Sequence, residues 1–167
     1  MWVLRTAREG GNDYLILEGL QLANMNFTVR AATKEDCKDI SRLIKDSALR
    51  DKTSDPVKMA CEGFTIVGYA LYFDTYSTWK GRSVYLEDFY VMPEFRGFGI
   101  GKSLLSTVGK VAKEKQCAQL LSSVLDGNTP SRDFYAARGA QDLTVNEGWH
   151  VIRFDGPDLE RLAKESH

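Results

Sequence analysis

The run Arg96-Gly97-Phe98-Gly99-Ile100-Gly101-Lys102 sets three glycines at alternate positions between a strand-like and a helix-like segment, and this constrains the chain more than any other feature. Before it, Ser83 to Met92 is dense in β-branched and aromatic residues and is closed by Pro93, the pattern of a strand. After it, Ile100, Leu104, Leu105, Val108, Val111 and Ala112 recur on one face at helical spacing. Glycines where a backbone enters a helix let its unpaired N–H groups and the positive end of its dipole close on an anion. A pyrophosphate fits such a place.

Two phosphate-binding patterns come close and miss. A Walker A loop ending in Gly101-Lys102-Ser103 needs glycine where Arg96 stands, and a dinucleotide fingerprint needs a third glycine where Lys102 stands. The wider pattern is more specific. Arg96-Gly-x-Gly-x-Gly after a strand resembles the coenzyme A loop of the Gcn5-related N-acetyltransferase superfamily. Tyr85 to Met92 together with Arg96 to Gly101 resembles the spermidine/spermine acetyltransferases within it. Tyr76 to Arg82, Gly139 to Leu143 and Glu147 to His150 look most like members that acetylate the side-chain amine of thialysine.

With 167 residues and 18.8 kDa the chain has room for a single core. A net charge of −1 argues against binding nucleic acid through phosphate neutralisation. No apolar run reaches membrane-spanning length, and Met1 to Asn24 lacks the apolar core and small-residue site of a leader, so the cytoplasm is the expected compartment. Cys37, Cys61 and Cys117 follow no metal spacing and only His150 and His167 offer imidazole; no metal is expected. Cys37 on an apolar helix face and Cys117 ahead of a strand read as buried thiols.

The order of elements is mixed α/β. Phe27 to Ala31 reads as a strand, followed at Thr33-Lys34-Glu35-Asp36 by a capping-box-like helix start with Cys37, Ile40, Leu43 and Ile44 on the apolar face. Phe64 to Phe73 and the strand carrying Glu87 read as a hairpin separated by Asp74 to Arg82. Then come a strand near Gln119 to Leu125, a helix near Pro130 to Arg138, a strand near Trp149 to Phe154 and a short helix from Pro157. The resemblance implies the acetyltransferase fold, a mixed central sheet flanked by helices, over residues 25–167. Only sixteen residues, Ser47 to Glu62, stand where the resembled enzymes carry a further helix and strand, so one early sheet element is expected to be missing. Residues 1–24 are an extension of uncertain structure, either a disordered or loosely docked segment or one in which Tyr14 to Leu17 forms a strand covering the edge left open.

Acetyl transfer needs a neutral amine, a polarised carbonyl and a proton for the leaving thiolate. An alkyl ammonium with a pKa near about 10.4 must lose its proton first. Simple alternation places Glu87 on one face with Phe89 and Val91, opposite Asp88. The resemblance makes Glu87 the catalytic acid on the amine side, with Asp88, Glu147 and, more weakly, Asp51 as contacts to a cationic substrate. It also assigns the backbone of Phe89, Tyr90 and Val91 to the coenzyme arm and the oxyanion, provided that the strand bulges and splays. Arg96, Gly97, Phe98, Gly99, Ile100, Gly101 and Lys102 take the pyrophosphate. Leu121, Ser122 and Ser123, with Asn128, Thr129, Pro130 and Ser131, complete the acetyl-CoA site. Tyr135 is the proton donor to the thiolate, since a phenol with a pKa near about 10 suits that transfer. Gly127 departs from the tryptophan usual before that asparagine.

The implied activity is direct acetyl transfer, through a tetrahedral intermediate, from acetyl-CoA to thialysine, a related amino acid or a di- or polyamine, by a homodimer. Two other readings stand beside it. The short segment suggests a coenzyme A-binding but silent variant pairing with an intact subunit, and Gly101-Lys102-Ser103 suggests a nucleotide-binding enzyme.

Overall fold

The structure, a computed structural model, describes residues 12–19, 27–50 and 65–165. They fall into two compact units that part between Ser123 and Val124.

The first unit is built on a five-stranded sheet. In chain order its elements are β1 (Asn12–Gly19), β2 (Phe27–Ala31), α1 (Cys37–Arg50), β3 (Thr65–Ser77), β4 (Gly81–Val91), α2 (Ile100–Glu114) and β5 (Gln119–Ser122). The strands lie in the order β2-β1-β3-β4-β5, and only the β4/β5 pair is parallel. The expected gap in the sheet is therefore filled. β1 does not cap an edge but runs antiparallel between β2 and β3, with Ile16 opposite Arg30 on one side and Tyr69 on the other. Ile16 is fully buried in a cluster with Ala32, Ile40, Leu43, Ile66, Tyr69 and Tyr90. The expected acidic contact at Asp51, Cys61 and most of the short segment lie outside the described residues.

α1 covers this cluster through Ile40 and Leu43, while Ile44 is 39% exposed at the margin of its stripe. Cys37 is exposed rather than buried, and Cys117 is partly buried. Cys37 begins the helix just after a 3-10 turn at Lys34–Asp36, and lies off the face that Ile40 and Leu43 share. That turn is fastened by Asp36, whose carboxylate accepts from Arg30 at 2.7 and 2.9 Å and from the Thr33 N–H at 2.7 Å. On the other face α2 buries Ile100, Leu104, Val108, Val111 and Ala112, as its periodicity requires, with Leu105 half-buried.

Both hairpin strands run further than the sequence suggests, leaving only Thr78–Trp79–Lys80 as the turn. The Ser77 hydroxyl accepts from the N–H groups of Trp79 and Lys80, and Gly81 closes the turn at φ +89°.

The second unit holds α3 (Thr129–Ala136), α4 (Leu143–Glu147) and α5 (Gly156–Lys164). The strand expected at Trp149 to Phe154 does not form; residues 149–155 take no regular structure and are exposed. An apolar alternating run becomes a strand only beside a partner that takes its N–H and C=O groups, and among the described residues this run pairs with none. α4, unforeseen in the sequence, is capped by Asp142, which accepts from the Thr144 and Val145 N–H groups, and is stopped by Gly148 at φ +75°.

Candidate active site

In the β3/β4 ladder Leu71 lies opposite Asp88 but Tyr72 lies opposite Leu86, so Glu87 is the extra residue of a β-bulge. The bulge corrects the simple alternation expected for this strand. Residues directly opposite share a face. Asp88 and Tyr90 therefore face the α1 side with Leu71 and Tyr69. Leu86 lies with Tyr72 on the side of α2, where the Lys115 ammonium sits 5.8 Å over the Tyr72 ring. Glu87 follows neither alternation and its side chain is exposed. The phenol of fully buried Tyr69 donates a hydrogen bond to Asp88 Oδ2.

At this same point β4 outruns its other neighbour. β5 pairs only with Ser83 to Leu86, whereas β4 continues to Val91. The Met92 N–H donates to the Val67 carbonyl at 2.9 Å, which turns the N–H and C=O of Val91, one residue back, away from β3 and toward the side where β5 has ended. Phe89, two residues before Val91, shares that orientation. The Val91 carbonyl accepts from Arg96 Nε at 2.8 Å, and the Arg96 guanidinium lies 5.8 Å from the Tyr90 ring centre. Gly68 opposite Val91 permits this close pairing, since a Cβ there would fall 2.7 Å from the Tyr90 carbonyl oxygen.

The glycine loop follows directly. Gly97 and Gly99 take φ of +86° and +82°, a region that side chains disfavour, and Gly99 is the N-cap of α2. The first helical bond runs from the Ser103 N–H to the Gly99 carbonyl at 3.0 Å. The N–H groups of Ile100, Gly101 and Lys102 thus precede the ladder. No acid lies in the first turn, Lys102 and Phe98 are exposed, and a Cβ added at Gly97 or Gly99 would meet nothing within 4 Å. Donors, dipole and open space fit an anionic diphosphate. Across the parting, Leu121 and Ser122 lie opposite Tyr85 and Leu86. Ser123 shares a hydrogen bond with the Tyr85 hydroxyl at 2.5 Å.

In the second unit Asn128 is the N-cap of α3, its side chain accepting from the Ser131 N–H at 3.3 Å, with Thr129 and Pro130 opening the helix. Tyr135 is half-buried in its last turn, edge-on to Phe134. Glu147 Oε2 accepts from the Trp149 indole N–H at 2.8 Å. Of the sequence-derived residues, the first unit thus gathers Glu87 to Val91, Arg96 to Lys102 and Leu121 to Ser123 on neighbouring elements. Asn128 to Ser131, Tyr135 and Glu147 belong to the second. Tyr69 and Gly68 went unnoticed in the sequence, where an apolar strand carrying a tyrosine and a glycine has no feature that marks them.

A strand that bulges and leaves its parallel neighbour just before a glycine-rich helix start defines a class of coenzyme-using acyltransferases. The family model described as "Acetyltransferase (GNAT) family" matches residues 21–140, and the chain belongs to that family of acetyltransferase enzymes. Among curated proteins it is 43% identical over 163 residues to a thialysine N-epsilon-acetyltransferase of Bos taurus, covering 81% of this chain and 96% of that one. It is 34% identical over 175 residues to the spermidine/spermine N(1)-acetyltransferase-like protein 1 of Homo sapiens, covering 88% of this chain and 25% of that one. Among solved structures, an integron cassette protein from the mobile metagenome of V. cholerae superposes with a TM-score of 0.63 at 20% identity, over 93% of this chain and 99% of that one. An aminoglycoside N-acetyltransferase in complex with CoA gives a TM-score of 0.55 at 24% identity, over 75% and 96%.

Proposed function

We propose that this acetyltransferase moves an acetyl group from acetyl-CoA to the primary amine of a small cationic substrate, thialysine or a related amino acid first and a di- or polyamine second. The observation that carries the reading is the parting of β4 from β5 at the Glu87 bulge, beside the N-terminus of α2. Acetyl-CoA supplies the thioester carbonyl. The N–H groups of Ile100, Gly101 and Lys102 hold the diphosphate, with the Lys102 ammonium adding charge. The outward N–H groups of Phe89 and Val91 hold the coenzyme arm and stabilise negative charge on the reacting oxygen. Leu121, Ser122 and Ser123 flank the arm, and the resemblance assigns Asn128, Thr129, Pro130 and Ser131 to the coenzyme as well.

Exposed Glu87 removes the ammonium proton, through water where the distance requires it, and Asp88 and Glu147 attract the cation. Asp51 is kept as an acceptor contact by resemblance. Tyr135 returns a proton to the departing thiolate. The same resemblance implies a homodimer, which sedimentation reads directly.

The test is an acetyl-CoA-dependent assay against thialysine, lysine, spermidine and short diamines. Turnover with at least one amine is expected, falling steeply in Glu87→Gln and in Tyr135→Phe while coenzyme affinity stays near that of the parent. Binding of coenzyme with no turnover on any amine would overturn the catalytic reading in favour of a silent, coenzyme-binding subunit.

A further inference from the structure

We propose that Tyr69 is a positioning residue for the amine: it fixes Asp88 so that the carboxylate meets the substrate cation in one place. The inference rests on the acetyl-transfer reading above and adds to it a residue to which nothing in the sequence points. Tyr69 sits on β3, fully buried among Ile16, Ile40, Leu43, Ile66 and Tyr90, and spends its phenolic proton on Asp88 Oδ2. A phenol has one proton to give. Among the described residues Asp88 Oδ1 takes no hydrogen bond, so one carboxylate oxygen is tethered from the core and the other is left for a cation.

The two acids of the bulge are thereby made unlike each other. Glu87 is exposed and, among the described residues, forms no hydrogen bond; it keeps the side-chain freedom that a proton carrier needs. Asp88 is half-buried and held by a fully buried ring, which packs against Tyr90 with centroids 6.3 Å apart. Had β4 alternated regularly, Asp88 would share the face of Leu86, on the far side of the sheet from Tyr69. The bulge therefore sets up the Tyr69–Asp88 contact as well as displaying Glu87.

The experiment is steady-state kinetics on the full chain with thialysine and spermidine as varied acceptors, for the parent, Tyr69→Phe, Asp88→Asn and the double variant, with melting temperatures alongside. Tyr69→Phe should raise the KM for the amine about tenfold, the size of a lost hydrogen bond to a charged group. Its kcat and its KM for acetyl-CoA should stay within about twofold of the parent. The double variant should be no worse than Asp88→Asn alone, because Tyr69 acts through that carboxylate. An unchanged amine KM in an active Tyr69→Phe enzyme overturns the proposal, as do losses that add in the double variant. A melting temperature lowered by more than about 10 °C in Tyr69→Phe also overturns it, placing the phenol in the service of the core. A parent chain inert toward both amines but loaded with coenzyme removes the acetyl-transfer reading itself, and the role of Tyr69 falls with it.

Discussion

At the scale of single residues, Asp36 carries more of the fold than its position in a short turn suggests. It is 6% exposed, and its carboxylate takes both terminal nitrogens of Arg30 and the N–H and hydroxyl of Thr33. The Arg30 hydrogen bond, before any other cause, holds its pKa below the usual carboxylate value. A depressed carboxylate contributes stability that is complete above its unfolded pKa of about 3.9 and is lost as the pH falls through the lower folded value. Asp36→Asn should cost about 1–3 kcal/mol at neutral pH, less than a wholly buried pair because a third of the Arg30 side chain stays in water. Urea unfolding from about pH 6 downward checks it: the gap between parent and variant should close below about pH 4. A constant gap across that range would mean that the charge on Asp36 is not what stabilises the turn.

At the scale of elements, β1 most changes the picture of the sheet. The family match begins at residue 21, so the strand seated between β2 and β3 lies before it. If β1 is central, Ile16→Ala should destabilise the unit by about 2–4 kcal/mol, the range for emptying a packed aliphatic site. The amides of residues 13–18 should also resist hydrogen exchange as well as those of β3 and β4. Exchange in β1 that is complete while β3 remains protected would remove it from the sheet. The same element shows what was legible in the sequence. The apolar run Tyr14 to Leu17 announces a strand, and the periodicity of α2 announces its buried face, because both signals are local. Where β1 inserts depends on which edges need partners, and that is a property of the whole sheet. For the site, the glycines and Arg96 could be read directly, since they are required by a local turn. The bulge could not: Leu86-Glu87-Asp88-Phe89 reads as plain alternation until the ladder with β3 shows that Glu87 has no partner. The run 149–155 failed in the opposite direction, a strand pattern for which the described residues supply no neighbour.

At the scale of the whole molecule, each of the two units carries residues that the resemblance assigns to the coenzyme. Lys102 and the amides that open α2 belong to one, Asn128 and Tyr135 to the other. A ligand bound only by the folded chain stabilises it by RT ln(1 + [L]/Kd), about 2.7 kcal/mol at a hundredfold excess over Kd. Acetyl-CoA at that excess should raise the melting temperature by about 5–11 °C, since each kcal/mol moves the midpoint of a chain of this size by about 2–4 °C. ATP, which offers phosphates without the pantetheine arm, should raise it far less, because the outward groups of Phe89 and Val91 then have no partner in the ligand. Gly99→Val puts a β-branched residue at φ +82° and rebuilds the start of α2, so it should abolish the response to acetyl-CoA. Asn128→Ala leaves the first unit intact and should reduce the response in part. Stabilisation by ATP but not by acetyl-CoA would return the loop to a nucleotide-binding role. It would also leave the parting of β4 and β5 with no ligand to receive.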